Sequence, residues 1–187
     1  MRKAFLNGCG HVGTLDFQDD LGGEYQNLEL DKFEAISDWY HYGILSLVET
    51  TDFTPKLSWI ANRLNISLAE TKSAVERLVR IGILDISSSA WKQVGKPIKV
   101  ENSTSTVATR KHQKQILEKA MESLERDAIE IRDMSSMTLA IDPKLVPVAL
   151  KEIRKFRRKL TKMLESSSPA KEVYELAVQL FPISKRK

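Results

Sequence analysis

The sequence predicts a mostly helical α+β fold in which short strands separate amphipathic helices. Apolar residues recur every three or four positions over most of the chain after Asp31, which is the spacing of helices with one buried face. Short apolar runs beside glycine or serine turns have the pattern of strands. At 187 residues, the chain is long enough for one ordinary domain or two small ones.

Residues 1–30 lack a sustained apolar period and are predicted to form a flexible N-terminal arm. Residues 8–13 match the G-x-G-x-x-G pattern of dinucleotide sites, but the residues after Gly13 do not form the helix that such a site needs. Cys9 and His11 are too few for a metal centre. The sequence therefore predicts neither a cofactor nor a metal. The arm contains five of the eight glycines: Gly8, Gly10, Gly13, Gly22 and Gly23.

The first predicted helix begins at Asp31, a suitable cap, and ends near Thr50. Trp39 and Tyr42 point away from its apolar face. These two aromatic residues are predicted either to form an interface with a partner or to pack against the C-terminal region. The apolar face consists of Phe33, Ile36, Tyr40, Ile44, Leu47 and Val48.

A second and a third helix follow, joined by a tight turn. Pro55 can open the second helix. Ser67 and Glu70 form a capping box at the start of the third helix, and Gly82 ends it. Strands are predicted at 83–86 and 91–94 around a serine turn. The inner faces of the two helices are Leu57, Ile60, Ala61 and Leu64, and Thr71, Ala74, Val75, Leu78 and Ile81.

This order of helix, turn, helix and hairpin is typical of a winged helix-turn-helix, which we predict over residues 31–100. The last helix of that motif can enter the major groove of DNA, so its outward side chains and those of the wing are candidate DNA contacts. Glu70 and Glu76 lie on the same surface and oppose phosphate binding. The predicted DNA-binding residues are Lys56, Lys72, Ser73, Arg77, Arg80, Lys92, Lys96 and Lys99.

Residues 104–187 are predicted to form a long helix and a small α/β region. The long helix runs from Thr104 to about Ile131 with a continuous apolar side. A strand at 135–141, a helix that opens at Asp142 and Pro143, and a strand at 173–183 follow; the first half of the last segment could be helical. Because two strands alone make a marginal sheet, we expect this region to pair with another chain or to pack on the first half. The predicted buried stripe of its helix is Leu145, Ala149, Ile153, Phe156, Leu160 and Leu164.

The charge of the chain is mildly basic, with a formal net charge of +4 and a pI of about 9.1. Such a charge favours polyanionic partners without requiring them. A basic patch on the outer face of the last helix is either a surface for phosphates or an acidic partner, or an ordinary solvated face. The patch consists of Lys151, Arg154, Lys155, Arg157, Arg158, Lys159 and Lys162.

Four segments of the chain, in this order, resemble a paralogous bacterial family: residues 33–42, 77–84, 134–141 and 178–183. That family is treated as transcriptional regulators, with a winged helix and a C-terminal domain of unknown function. The similarity covers about residues 31–184 and implies no catalytic or ligand residues. Many members have an additional helix-turn-helix before the aromatic helix, for which the residues before Asp31 are too few. This departure favours an interaction role.

The expected function is a transcriptional regulator that binds double-stranded DNA as a homodimer; the alternative is an adaptor that binds a protein partner and not DNA. We do not expect an enzyme, since Ser37, Asp38 and His41 crowd one helix in an order that places no base against a nucleophile. The sequence contains no apolar run of membrane length, and its first ten residues lack the apolar core of a signal peptide, so we expect no export. With its single Cys9, it is expected to be cytoplasmic.

Overall fold

The computed structural model describes residues 35–95, 107–166 and 169–185. This part of the chain is mostly helical and contains one small two-stranded sheet, as the α+β prediction required. The predicted arm, the start of the first helix at Asp31, Lys96 and Lys99 lie outside the described residues. The elements are α1 (Trp39–Val48), α2 (Leu57–Leu64), α3 (Leu68–Arg80), β1 (Leu84–Asp85), β2 (Lys92–Gln93), α4 (Val107–Arg126) and α5 (Val146–Glu165), with 3-10 turns at Ile129–Ile131 and Pro143–Leu145.

The core lies between α1, α2 and α3, which pack against one another. The predicted inner faces of α2 and α3 are confirmed, since Ile60 and Leu78 are fully buried there. α1 contributes Ile44 and Leu47, and Ile36 joins the core from just before the helix. Burial of these large aliphatic side chains is the main stabilising contribution to this half of the molecule.

The first helix differs from its prediction as one continuous helix from Asp31. Residues 36–38 are not helical, and α1 begins at Trp39. Asp38 is the N-cap residue and has an extended backbone. The Ser37 carbonyl accepts a hydrogen bond from Nδ1–H of His112 on α4 at 3.1 Å. The Asp38 carboxylate accepts from the Gln115 amide at 2.9 Å. These bonds from α4 anchor residues 37–38 and set where the helix starts, which helical periodicity alone did not indicate.

The turn between α2 and α3 forms as predicted. Asn65 ends α2 in the left-handed conformation at φ 52°, which asparagine tolerates better than most residues. Ser67 and Glu70 form the predicted capping box. Gly82 follows α3 at φ 74°, where a side chain would be strained.

The hairpin after α3 is shorter than predicted but has the expected antiparallel pairing. Leu84 pairs with Gln93, and Asp85 pairs with Lys92. Three aromatic rings connect this region to the helices, with ring centroids 5.6 Å apart for Phe53–Trp59 and 5.8 Å apart for Phe53–Trp91. Sequence periodicity does not indicate this cluster, because its three rings come from separate segments of the chain.

The C-terminal region differs most from the structure that the sequence predicts. α4 ends at Arg126, and the segments 135–141 and 173–183 form neither strand nor helix within the described chain. The predicted strand-helix-strand unit is therefore absent there. A strand is stable only when a neighbouring strand satisfies its backbone, and these two segments do not pair with each other.

α5 forms where predicted, with the Asp142 side chain accepting from the Lys144 backbone N–H at 3.0 Å. Its predicted buried stripe is not buried: Phe156 and Leu164 are each 54% exposed, and no α5 residue is buried. The side of α4 beyond Ile116 is likewise exposed. An amphipathic pattern indicates which face can be covered, but no element within residues 35–95, 107–166 and 169–185 covers these faces fully.

One C-terminal segment does pack on the first half. The Ala170 carbonyl accepts from the Thr51 backbone N–H at 2.9 Å, and Arg63 donates to the Lys171 carbonyl and the Glu172 carboxylate, both at 3.1 Å. Val173 packs against the core cluster. Residues 170–173 therefore form a strap across the first half, in agreement with one of the two expectations for this region.

Candidate nucleic-acid interface

The candidate interface is the outer face of α3. Its inner face is Thr71, Ala74, Val75 and Leu78, all buried. Ser73, Glu76 and Arg80, at spacings of three and four, form a ridge on the opposite side, and all three are exposed. Lys72 borders this ridge with 66% of its side chain exposed. The helix thus presents a continuous polar face to solvent.

The acids on this face have local partners. Glu70 accepts from the Ser67 backbone N–H at 2.9 Å and from the Ser67 hydroxyl at 2.6 Å. These hydrogen bonds hold the pKa of Glu70 below its usual value. The Glu76 carboxylate lies 3.9 Å from the Lys72 ammonium, one helical turn away. The two acids that oppose phosphate binding therefore each have a partner, on α3 or at its N-cap.

Arg77 differs from the other predicted contacts. Its side chain is half-buried, and Nη1 donates to the Ala35 carbonyl at 3.2 Å. That bond connects α3 to the residues before α1, so Arg77 has a structural contact that the sequence did not indicate. Lys56, just before α2, and Lys92, on β2, are exposed.

The basic patch lies on α5. Lys151, Arg154, Lys155, Lys159 and Lys162 are exposed, and Arg157 and Arg158 are half-buried. Six of the seven share one side of the helix at spacings of three and four; Arg157 lies toward the apolar stripe. Lys155 pairs with Glu152 at 2.8 Å, an exposed pair of little energetic weight.

Trp39 and Tyr42, the two candidate interface aromatics, contact α4 within the chain. The Lys119 ammonium lies 4.5 Å from the centroid of the Trp39 ring, a cation–π contact. The Tyr42 ring meets the His112 ring edge-on at 4.9 Å. Both aromatics are half-buried. Packing against the C-terminal half therefore accounts for both positions, which was one of the two interpretations of the sequence.

The α1–α4 contact is completed by Asp38. Burial raises the pKa of this carboxyl, but hydrogen bonds from Lys111 and Gln115 outweigh it and hold the pKa below its usual value. The Trp39 backbone N–H donates to the Gln115 amide oxygen at 3.0 Å. The Asp38 side chain therefore has a structural role in joining α1 to α4.

Ser37, Asp38 and His41 form no catalytic arrangement. Nδ1 of His41 lies 3.1 Å from the Asp38 carbonyl, and because a carbonyl only accepts, Nδ1 carries the proton. Nε2 of His41 is buried, and no described residue forms a hydrogen bond with it. Burial lowers the pKa of His41 to about 4, so the ring is neutral at pH 7. Among the described residues, no group of three or more His, Cys, Asp or Glu side chains could hold a metal ion.

No helix in the described ranges is both long and apolar enough to cross a membrane. Comparison with known proteins found no match among curated proteins and none among solved structures. Residues 23–183 match one protein family, described as a domain of unknown function (DUF4423). The match extends from before α1 to residue 183 and so includes both the candidate interface and most of the C-terminal half. By this match over most of its length, the chain belongs to the DUF4423 family.

Proposed function

We propose that residues 35–95 are a winged helix-turn-helix, and that the protein binds double-stranded DNA through α3 as a transcriptional regulator without catalytic activity. The order α1, α2, turn, α3 and hairpin supports this assignment. An α-helix fits the major groove, provided that one face is held by a core and the other is solvent-facing and polar. α3 meets both conditions.

The observation that carries the proposal is the outer ridge of α3 with its flanking cation. Ser73 can donate to phosphate or to a base edge, and Arg80 and Lys72 supply positive charge. The Lys72–Glu76 pair is exposed on both sides, so exchanging it for a phosphate contact costs little. Lys56 and Lys92 add two exposed cations outside the ridge.

The test is a titration of fluorescent mixed-sequence duplex DNA with the full chain at about 50 mM and 200 mM salt. The double variant K72A/R80A should bind about tenfold more weakly, and its salt slope should be smaller by about two. The control is K114A/K144A, which removes the same charge from two exposed lysines elsewhere. Absence of binding even at low salt, or equal loss in both variants, would refute DNA binding through α3.

An adaptor that binds a protein and not DNA is the second candidate. The observation that favours it is the large exposed apolar surface after residue 116, since such surfaces mark protein contacts. This function predicts that K72A/R80A fully complements a deletion of the gene in cells. Failure to complement, with the K114A/K144A control active, would count against the adaptor.

A further inference from the structure

The outer half of α4 carries an exposed apolar stripe. Leu117, Met121 and Leu124 recur at spacings of four and three, and their exposures are 48%, 68% and 48%. The buried side chains of this helix, Ala108, Thr109, His112 and Ile116, lie in its first half. α4 therefore extends from the first half of the molecule as a helix with an apolar side that the described residues leave uncovered.

The segment after α4 also exposes apolar side chains. Met137, Leu139 and Ile141 alternate along residues 134–141 and are 79%, 63% and 46% exposed. This alternation is the pattern of a strand with one apolar face, yet within the described residues the segment joins no sheet. A monomer rarely leaves so much contiguous apolar surface in water.

The charges that border these apolar surfaces are of opposite sign. Residues 117–133 contain six acidic and three basic residues, whereas α5 contains seven basic and two acidic residues. Within one chain, α4 and α5 do not pack along each other. The chain thus has an acidic amphipathic half-helix and a basic amphipathic helix, each incompletely covered.

The positions of the charges suit a helix pair. On α4, Glu118, Glu122 and Glu125 run at spacings of four and three beside the apolar stripe. On α5, Arg157 lies at one edge of the apolar stripe, and Arg154 lies next to Arg157 on the same side. When two apolar stripes pack together, charges at their edges face each other and select the partner, as in coiled coils.

We propose that the occupant of this surface is a second copy of the chain, in which the acidic outer half of α4 of one protomer packs along α5 of the other, and reciprocally. A two-fold dimer requires a self-complementary surface, and this chain supplies both halves. A stable interface buries about 800 Å² per partner from roughly 20–30 residues. The outer half of α4, residues 134–141 and α5 together offer that many. DNA does not suit the apolar part of this surface.

The test measures the mass of the full chain in solution without DNA by light scattering, which keeps it independent of the proposed function. The wild-type chain should dimerise. E118R/E122R/E125R alone and R154E/R157E alone should each dissociate more than about tenfold more readily, since like charges then face each other. Mixed together, the two variants should form a heterodimer of wild-type stability, because both reciprocal contacts regain opposite charges.

The control K72E/R80E reverses two charges on α3 and should leave self-association unchanged. A wild-type chain that stays monomeric at every concentration overturns the proposal, and so does a dimer that both reversals leave intact. If either reversed variant fails to fold alone, its helical circular dichroism should return on mixing with the other. Failure of the mixture to form the heterodimer also overturns the proposal.

Discussion

At the scale of single residues, two buried histidines show how polar groups are accommodated in this fold. His112 donates Nδ1–H to the Ser37 carbonyl and so joins α4 to the start of α1. His41 uses Nδ1–H in the same way toward the Asp38 carbonyl, but its buried Nε2 has no hydrogen-bond partner in the described part of the chain. A buried unsatisfied nitrogen has an energetic cost and strongly resists protonation.

His41 should make the stability of the protein depend on pH. Burial lowers its pKa from 6.5 to about 4, so between these values the unfolded chain binds more protons than the native one. Stability should therefore fall as the pH falls through this window, by up to about 3 kcal/mol from His41 alone. H41F should unfold in urea with a free energy that changes less between pH 7 and pH 4.5 than that of the wild type.

Other groups titrate in the same experiment, so the test compares the pH dependence of the free energy of unfolding between H41F and the wild type. Burial also lowers the pKa of His112, whereas burial raises the pKa of Glu49, which acts in the opposite direction. Both groups remain in H41F. In this variant the Asp38 carbonyl keeps the bond from the backbone N–H of residue 41, at 3.1 Å in the wild type. An unchanged pH slope in H41F would show that the ring is not the source.

At the scale of the elements, α1 and α2 approach each other at Gly43. A Cβ atom placed there would lie 3.1 Å and 3.3 Å from the two terminal carbons of Leu64, closer than ordinary contact. Glycine is otherwise unfavourable inside a helix, by about 0.5–1 kcal/mol relative to alanine. Its presence in the middle of α1 therefore follows from the close contact with α2.

Substitution of Gly43 should depend steeply on side-chain size. G43A should change the free energy of unfolding by less than about 1 kcal/mol, because the gain in helix preference offsets a small shift of Leu64. G43V should destabilise the protein by about 1–3 kcal/mol through overpacking. Chemical denaturation measures both. L64A should recover part of the loss in G43V, and a purely additive double variant would contradict this account.

At the scale of the whole molecule, the strap at 170–173 joins the end of the chain to its first half. Val173 is half-buried against the core, whereas its neighbour Tyr174 is 69% exposed. Arg63 stabilises the strap from α2 while its guanidinium lies 5.4 Å from the centroid of the Trp59 ring. These contacts make the C-terminal segment part of the same cooperative structure as α1 and α2.

The substitutions V173D and Y174D provide a matched pair. V173D places a carboxylate against apolar side chains and should release the strap, with a loss of about 1–3 kcal/mol in stability and faster tryptic cleavage at Lys171. Y174D changes a solvent-exposed side chain one position away and should have little effect. Equal cleavage rates in both variants would mean that Val173 does not hold the strap.

Local physics explains what could be predicted. The Ser67–Glu70 capping box, the end of α3 at Gly82 and the buried faces of α2 and α3 were all predicted, because each depends on residues within two turns of one helix. The prediction of one continuous helix from Asp31 was wrong, since residues 36–38 are not helical and Asp38 is anchored by residues of α4 more than seventy positions away. Arg77, predicted as a DNA contact, donates to the Ala35 carbonyl, which is 42 positions away in sequence and which periodicity did not indicate.

The amino-acid sequence alone determined that the helices form, the caps at Ser67 and Asp142, the hairpin and the two polar faces, on α3 and on α5, because periodicity and capping act over neighbouring residues. Only the tertiary structure decided that residues 170–173 return to α1 and α2, that Trp39 and Tyr42 face α4, and that the segments 135–141 and 173–183 stay unpaired in one chain. Pairing and docking join residues distant in sequence. An apolar pattern specifies that a face should be covered, and it does not specify by what.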